Sequence, residues 1–194
     1  DGVLYNKGGE KLLFYPHNKP DEIFILPDAC TEIDNLYCNN LKELNLGSNL
    51  KIINSFIGGK NIVLIRVPAT LQNIKGSVFD VSENLTNIII DENNPYLCYE
   101  NGALLSKDKK IIYEVMPCID NATYTIPATV EEIFSDAFFY DGKIQNLIIP
   151  ENVKKIGSGD FAQMKKIEKI CLLSTAVKFL GKPFSIVDTD DAGT

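Results

Sequence analysis

Short apolar triplets recur along the chain, each ended by proline or glycine: Phe24-Ile25-Leu26 before Pro27, Leu44-Asn45-Leu46 before Gly47, Ile65-Arg66-Val67 before Pro68, Tyr124-Thr125-Ile126 before Pro127 and Leu147-Ile148-Ile149 before Pro150. In each triplet the first and third side chains point one way and the middle one the other, which is the pattern of a short strand with one buried face. Proline cannot donate to a ladder, so it ends the strand at the same place each time. Apolar residues three apart follow, Val130 with Ile133 and Val153 with Ile156, and suit an irregular or 3₁₀-like path across an edge. The aromatic five residues on, Phe138 or Phe161, then plugs the space between units. The triplets predict strands at about 24–26, 44–46, 65–67, 88–90, 124–126, 147–149 and 170–172.

The markers at 27, 47 and 68 are 20 and 21 residues apart, and those at 127 and 150 are 23 apart. A period of about 20–29 residues rich in Leu and Ile is the range of leucine-rich repeats. One such unit cannot bury its residues alone, so stability comes from stacked neighbours. A longer repeat sits above the first. Gly2-Val3-Leu4-Tyr5 with Leu12-Leu13-Phe14-Tyr15 matches Gly102-Ala103-Leu104-Leu105 with Ile111-Ile112-Tyr113, and the prolines that follow stand at 27 and 127. Both segments read as β-hairpins, at about 1–17 and 97–117. The expectation is a leucine-rich-repeat solenoid, mostly β with irregular or 3₁₀ segments, with one curved sheet of short strands and two inserted, projecting hairpins. The domain runs over 1–184, and 185–194 is an acidic tail without repeat phase that frays.

Composition narrows the function. The 194 residues are 45% hydrophobic with no run long enough to span a bilayer, so no membrane insertion is expected within this chain. A net charge of −7 argues against nucleic acid as a partner. The chain opens on Asp1-Gly2 in mid-element, which implies an upstream sequence.

Chemistry is sparse. His17 is the only histidine, in the polar link Pro16-His17-Asn18-Lys19-Pro20, and reads as a solvated loop residue; a triad lacks its base and a zinc site its ligands. Gly157-Ser158-Gly159-Asp160 lies inside a repeat turn and reads as backbone accommodation, and the acidic run at Asp188-Thr189-Asp190-Asp191 lacks calcium-loop spacing. The cysteines at 30, 38, 98, 118 and 171 form no metal or redox motif; Cys30 and Cys38 fall on buried repeat positions, and a bridge between Cys98 and Cys118 is the less favoured alternative to free thiols. No cofactor, no metal and no enzyme activity are expected.

The unit Thr125-Ile126-Pro127, Val130, Ile133, Ala137-Phe138, its echo from Ile148 to Phe161, and the hairpin with Asn94-Pro95, Gly102 and Leu104 resemble the BspA-like leucine-rich-repeat family over about nine-tenths of the chain. That resemblance implies secreted or surface-attached proteins of host-associated bacteria and some parasitic protists, implicated in adhesion. It implies an extracellular or cell-surface location and a protein or glycan ligand, host extracellular proteins included. The alternative is a passive surface spacer or the accessory domain of a larger secreted protein.

If the flanking residues of each triplet are buried, the middle residue and the one before the triplet face outward. The candidate binding face is then Ile25, Asn45, Leu64, Arg66, Asn87 and Ile89, continued by Thr125 and Ile148. Apolar residues at outward positions can mark a protein-binding surface. They can equally reflect the preference of strands for β-branched residues.

Overall fold

The computed structural model describes residues 2–74, 78–79, 82–116, 119, 121–138, 143–159, 161 and 164–182. Strands β1 (Leu4–Tyr5) and β2 (Lys11–Phe14) form an antiparallel hairpin. The first coil carries β3 (Ile23–Ile25), β4 (Glu32–Ile33) and β5 (Leu36–Tyr37), and the second β6 (Glu43–Asn45), β7 (Ile52–Ile53) and β8 (Ile57–Gly58). The third holds β9 (Leu64–Val67) and β10 (Asn73–Ile74), and the fourth opens with β11 (Asn87–Ile90). An antiparallel meander of β12 (Leu97–Glu100), β13 (Ala103–Ser106) and β14 (Ile111–Val115) comes next. Three more coils carry β15 (Thr123–Thr125) with β16 (Glu132–Ile133), β17 (Asn146–Ile149) with β18 (Lys155–Ile156), and β19 (Lys169–Leu172) with β20 (Lys178–Phe179).

The chain is therefore a β-solenoid, and all seven expected strands of its first face are present, each starting one residue early. The expected single sheet is not: β3, β6, β9 and β11 form one parallel sheet and β15, β17 and β19 another. The meander causes the break. It enters between β11 and β15, and its last strand, β14, pairs with β16 on a second face. That second face is itself sheet, where an irregular or 3₁₀-like path was expected. Ile33 stands beside Ile53 and Ile133 beside Ile156 in parallel register, all buried. Nor do the hairpins project. Leu12 of β2 pairs with Ile33, and Ile112 of β14 with Ile133, so each insertion supplies the first strands of the second-face sheet. The second insertion has three strands because Asn101-Gly102, with φ of 51° and 75°, turns β12 directly into β13. Two successive positive φ values are the geometry that an Asn-Gly hairpin turn supplies.

The core divides into one buried cluster per half. Phe138 is fully buried, its ring 5.8 Å from that of Phe161, and fills the space between coils as expected. The position one hundred residues earlier is Cys38, equally buried. Tyr37, the aromatic next to it, is only half-buried. Side-chain amides stitch coil to coil: Asn49 Nδ2 donates to Asp28 O at 2.9 Å and Asn152 Nδ2 to Ala128 O at 2.7 Å. Asn94, wholly buried, donates to Pro68 O and Leu71 O and accepts from the N–H groups of Tyr96 and Leu97. The Asn94-Pro95 turn is thus pinned to the third coil.

One buried carboxyl group joins the halves. Along the third edge of the solenoid each coil donates to the next: Ile57 N to Val78 O at 2.7 Å, Val115 N to Ala137 O at 2.7 Å, and Asp136 N to Ser158 O at 3.1 Å. Between Val78 and the meander the acceptor is a side chain. The Glu114 carboxylate, 2% exposed, takes the N–H of Val78 at 3.0 Å and that of Phe79 at 3.1 Å. A carboxylate can accept two backbone donors at once, so Glu114 continues the ladder at this point. Cys98 is a free thiol, its Sγ donating to Ser106 O at 3.3 Å. Cys118 and the 185–194 tail lie outside the described residues.

Candidate binding face

The two outward positions of each first-face strand line up across the four-stranded sheet as two rows. Ile23, Glu43, Leu64 and Asn87 form the first, and Ile25, Asn45, Arg66 and Ile89 the second. Between them Phe24, Leu44, Ile65 and Ile88 point inward, Leu44 and Ile65 fully buried. The outward set is graded: Ile25 and Ile89 are 62% and 41% exposed, Asn87 is exposed, and Asn45, Leu64 and Arg66 are half-buried by their neighbours. Thr125, exposed, and Ile148, half-buried, also face outward, but on the three-stranded sheet. The eight candidate residues thus share an orientation and are divided between two sheets.

Arg66 is the fixed charge of the first group. Its Nε donates to Glu43 Oε1 at 2.7 Å, diagonally across the β6–β9 ladder. Glu43 is the partner that the sequence reading did not pick out. Both residues are legible as outward, but their diagonal contact follows only from the coil register, which sets Glu43 beside Leu64 and Asn45 beside Arg66. Asn45 is tied down as well: its Oδ1 accepts the N–H of Gly47 at 3.0 Å. Gly47, where the pattern expects proline, has φ of 67°, and a Cβ there would come within 2.6 Å of Leu26 O. Only glycine allows that close approach.

A shallow depression of about 300 Å³ lies among Asn45, Arg66, Pro68, Ile89 and Asp91. A second, of about 380 Å³, flanks Ile89 on its other side, against Leu97, Tyr99 and Lys107 of the meander and its turn. Ile89 is therefore a ridge between two hollows. The arrangement offers a held guanidinium, apolar area and amide groups, which suits contact with a surface. No histidine joins it. His17 is exposed in its loop, edge-on to Tyr37 at 5.5 Å. Among the described residues no three or more His, Cys, Asp and Glu side chains group to hold a metal ion. Nor is any helix there long and apolar enough to cross a membrane.

The profile of the BspA type Leucine rich repeat region matches the chain in six copies, over residues 14–102 and 112–186. The chain belongs to the BspA-type leucine-rich-repeat family. The stretch between the two matched segments covers β13 and the turn into β14, the part of the meander that interrupts the coils. Solved structures carry the same fold. The pneumococcal vaccine antigen PcpA is similar at a TM-score of 0.57 and 21% identity over 77% of this chain. A leucine-rich repeat protein from Eubacterium ventriosum matches at 0.53 and 16% over 91%, and a leucine rich cell surface protein from Faecalibacterium prausnitzii at 0.54 and 17% over 80%. This BspA-type chain spans 40% of PcpA, 71% of the Eubacterium protein and 45% of the Faecalibacterium protein. A search of curated proteins finds no match.

Proposed function

We propose that this BspA-type chain is a non-catalytic recognition module of a secreted or cell-surface protein. It holds a protein or glycan partner, host extracellular proteins among the candidates, on the four-stranded face around Leu64, Arg66, Asn87 and Ile89. The observation that carries the reading is Arg66, held by Glu43 beside the exposed ridge of Ile89. A pre-positioned planar donor next to apolar area is the combination enriched among interface hot spots. Family membership and the naming of one structural relative as a cell surface protein support the location.

A binding screen against host extracellular proteins and surface glycans supplies the partner. Arg66→Ala should then weaken it by about 2 kcal/mol, as hot-spot truncations do, and Ile89→Asp at least as much, with unchanged melting of both variants. Normal binding by both, with loss on substitution of Lys7 or Lys107, would move recognition to the hairpin turns. A face indifferent to every outward substitution would leave a spacer.

A further inference from the structure

The meander leaves an open strand edge in the middle of the chain. Among the described residues β11 pairs with β9 alone, and no strand continues the first-face sheet on its other side. Coils stand before and after β11 in the sequence, so the edge belongs to the junction between the halves. The ladder fixes which groups face it. Asn87 N donates to Val63 O at 3.2 Å and Asp91 N to Val67 O at 2.9 Å. Residues 87, 89 and 91 therefore turn their N–H and C=O toward β9, and Ile88 and Ile90 turn theirs to the open side.

The interior is uncovered at the same place. Leu26, Leu46, Val67 and Ile90 hold the same inward position in four successive coils, and the first three are buried while Ile90 is only half so. A hollow of about 380 Å³ borders it, with Ile88, Ile89 and Ile90 on one side and Leu97 and Tyr99 of β12 on the other. Free edges are ordinarily protected by lysine, proline or a bulge within the strand. β11 has none: it reads Asn87-Ile88-Ile89-Ile90 and keeps its register with β9 throughout. Beyond the meander β15 has an open edge too, faced by Thr123 and Thr125, since Asn146 N donates to Ala122 O and Ile126 N to Ile148 O. Tyr124 and Ile126 behind them are buried, so that edge is already closed over its core.

We propose that the open edge of β11 takes an extended segment of a partner protein, which adds a strand alongside residues 88–90 in the hollow. Alternating N–H and C=O groups at strand spacing recognise a polypeptide and have no counterpart in a glycan. The chain on either side of β11 is already committed. Asn84 Nδ2 and Thr86 N donate to Lys60 O and Val63 O, and Asn94 Nδ2 to Pro68 O and Leu71 O, so neither flank can fold back to supply that strand. The segment carries apolar residues at alternate positions, which cover Ile90 and pack against Leu97 and Tyr99. At the hollow Asp91 and Glu92 outnumber Lys107, which favours lysine or arginine at the ends of the segment. The edge adjoins the face around Arg66 and does not depend on that face having a partner.

The probes are synthetic peptides of about nine residues with Val or Ile alternating with Thr and Lys at both ends, and controls of the same composition with the apolar residues adjacent. In the free protein the amides of Ile88 and Ile90 should exchange faster than that of Ile89, which faces β9, and the alternating peptide should protect them. Ile90→Pro removes an outward N–H without touching the ladder to β9, and should weaken binding by about tenfold or more. Arg66→Ala should leave it unchanged, which separates the edge from the neighbouring face. If Ile90→Pro melts early, protection of Ile88 and Ile90 in the unaltered chain, with none at Thr123 and Thr125, decides alone. Exchange at Ile88 and Ile90 as slow as at Ile89, equal binding of alternating and control peptides, or loss of binding in Arg66→Ala would overturn the proposal. So would concentration-dependent self-association lost in Ile90→Pro, since a second copy would then hold the edge.

Discussion

The two halves of the solenoid share a backbone plan and differ in what they show to solvent. Strands at 23–25 and 123–125 occupy the same repeat position, and both are followed by Pro two residues on. The first half displays Ile23, Ile25, Leu64 and Ile89 among Glu43, Asn45, Arg66 and Asn87; the second displays Thr123, Thr125, Asn146 and Lys169, with Ile148 and Cys171 beside them. Inward positions are apolar in both. The coil dictates only the buried side chains, and the outward ones are free to differ. The more apolar outward set marks the first half as the place to look for a partner.

The interiors differ too, and the largest expected effect lies there. Phe138→Ala should cost about 3–5 kcal/mol, because it empties the space shared with Phe161. The matched change Cys38→Ala removes far less volume and should cost about 1 kcal/mol. Denaturant melts of both variants check the contrast; a loss under about 1 kcal/mol for Phe138→Ala would show that the second half is not built around that ring.

The joint comes next. Glu114→Ala strands the N–H groups of Val78 and Phe79 in a fully buried site, at about 1–3 kcal/mol for each unsatisfied donor. Glu114→Gln keeps one acceptor oxygen and should cost less. Hydrogen exchange at Val78 and Phe79 should accelerate in both variants while Ile65 and Leu147 stay protected. Uniform acceleration across both halves would mean that the two are not separately cooperative.

The smallest effect concerns surface charge, where the halves invert one another. In the first, Lys11 serves two carboxylates, Glu32 Oε1 at 2.7 Å and Asp34 Oδ1 at 2.6 Å; in the second, Glu131 serves two lysines, Lys110 at 2.8 Å and Lys154 at 2.5 Å. Hydrogen bonds from Lys11 hold Glu32 and Asp34 below the usual carboxylate range. Those from Lys110 and Lys154 bring Glu131 down to about 2. A carboxyl group whose pKa is lower folded than unfolded contributes stability above its unfolded pKa and loses it as pH falls through the folded one. For Glu131 that window runs from 4.5 down to about 2. These groups are solvated, so the acid loss should be slight and should shrink in high salt. Glu131→Gln should flatten the dependence of the melting midpoint on pH in that window, and an unchanged slope would count against the pairing.

What the sequence disclosed and what it hid follow from the range of each interaction. Repeat phase, marked by proline after four strands and by Gly47 after a fifth, located all seven first-face strands, because strand ends are local. The strand at Ile33, Ile53, Ile133 and Ile156 offers one buried apolar residue per coil, and alone that cannot be told from a 3₁₀ turn. The extra strand of the meander, β12, was legible in Asn101-Gly102 between two β-forming runs. Glu114 was not. By alternation within Ile111-Ile112-Tyr113-Glu114-Val115 it reads as a solvent-facing residue, and its donors lie 35 and 36 residues earlier. On the display face the outward residues were readable from period two, whereas the Arg66–Glu43 contact needed the coil register.

The central claim is that recognition sits on the first half's face. Binding of the screened partner should be compared in Ile89→Asp and Ile148→Asp, matched outward substitutions in the two sheets, with melting of each as the control for folding. Weakening by about tenfold or more in Ile89→Asp alone is the predicted result. Equal loss in both, or loss in Ile148→Asp alone, would contradict it.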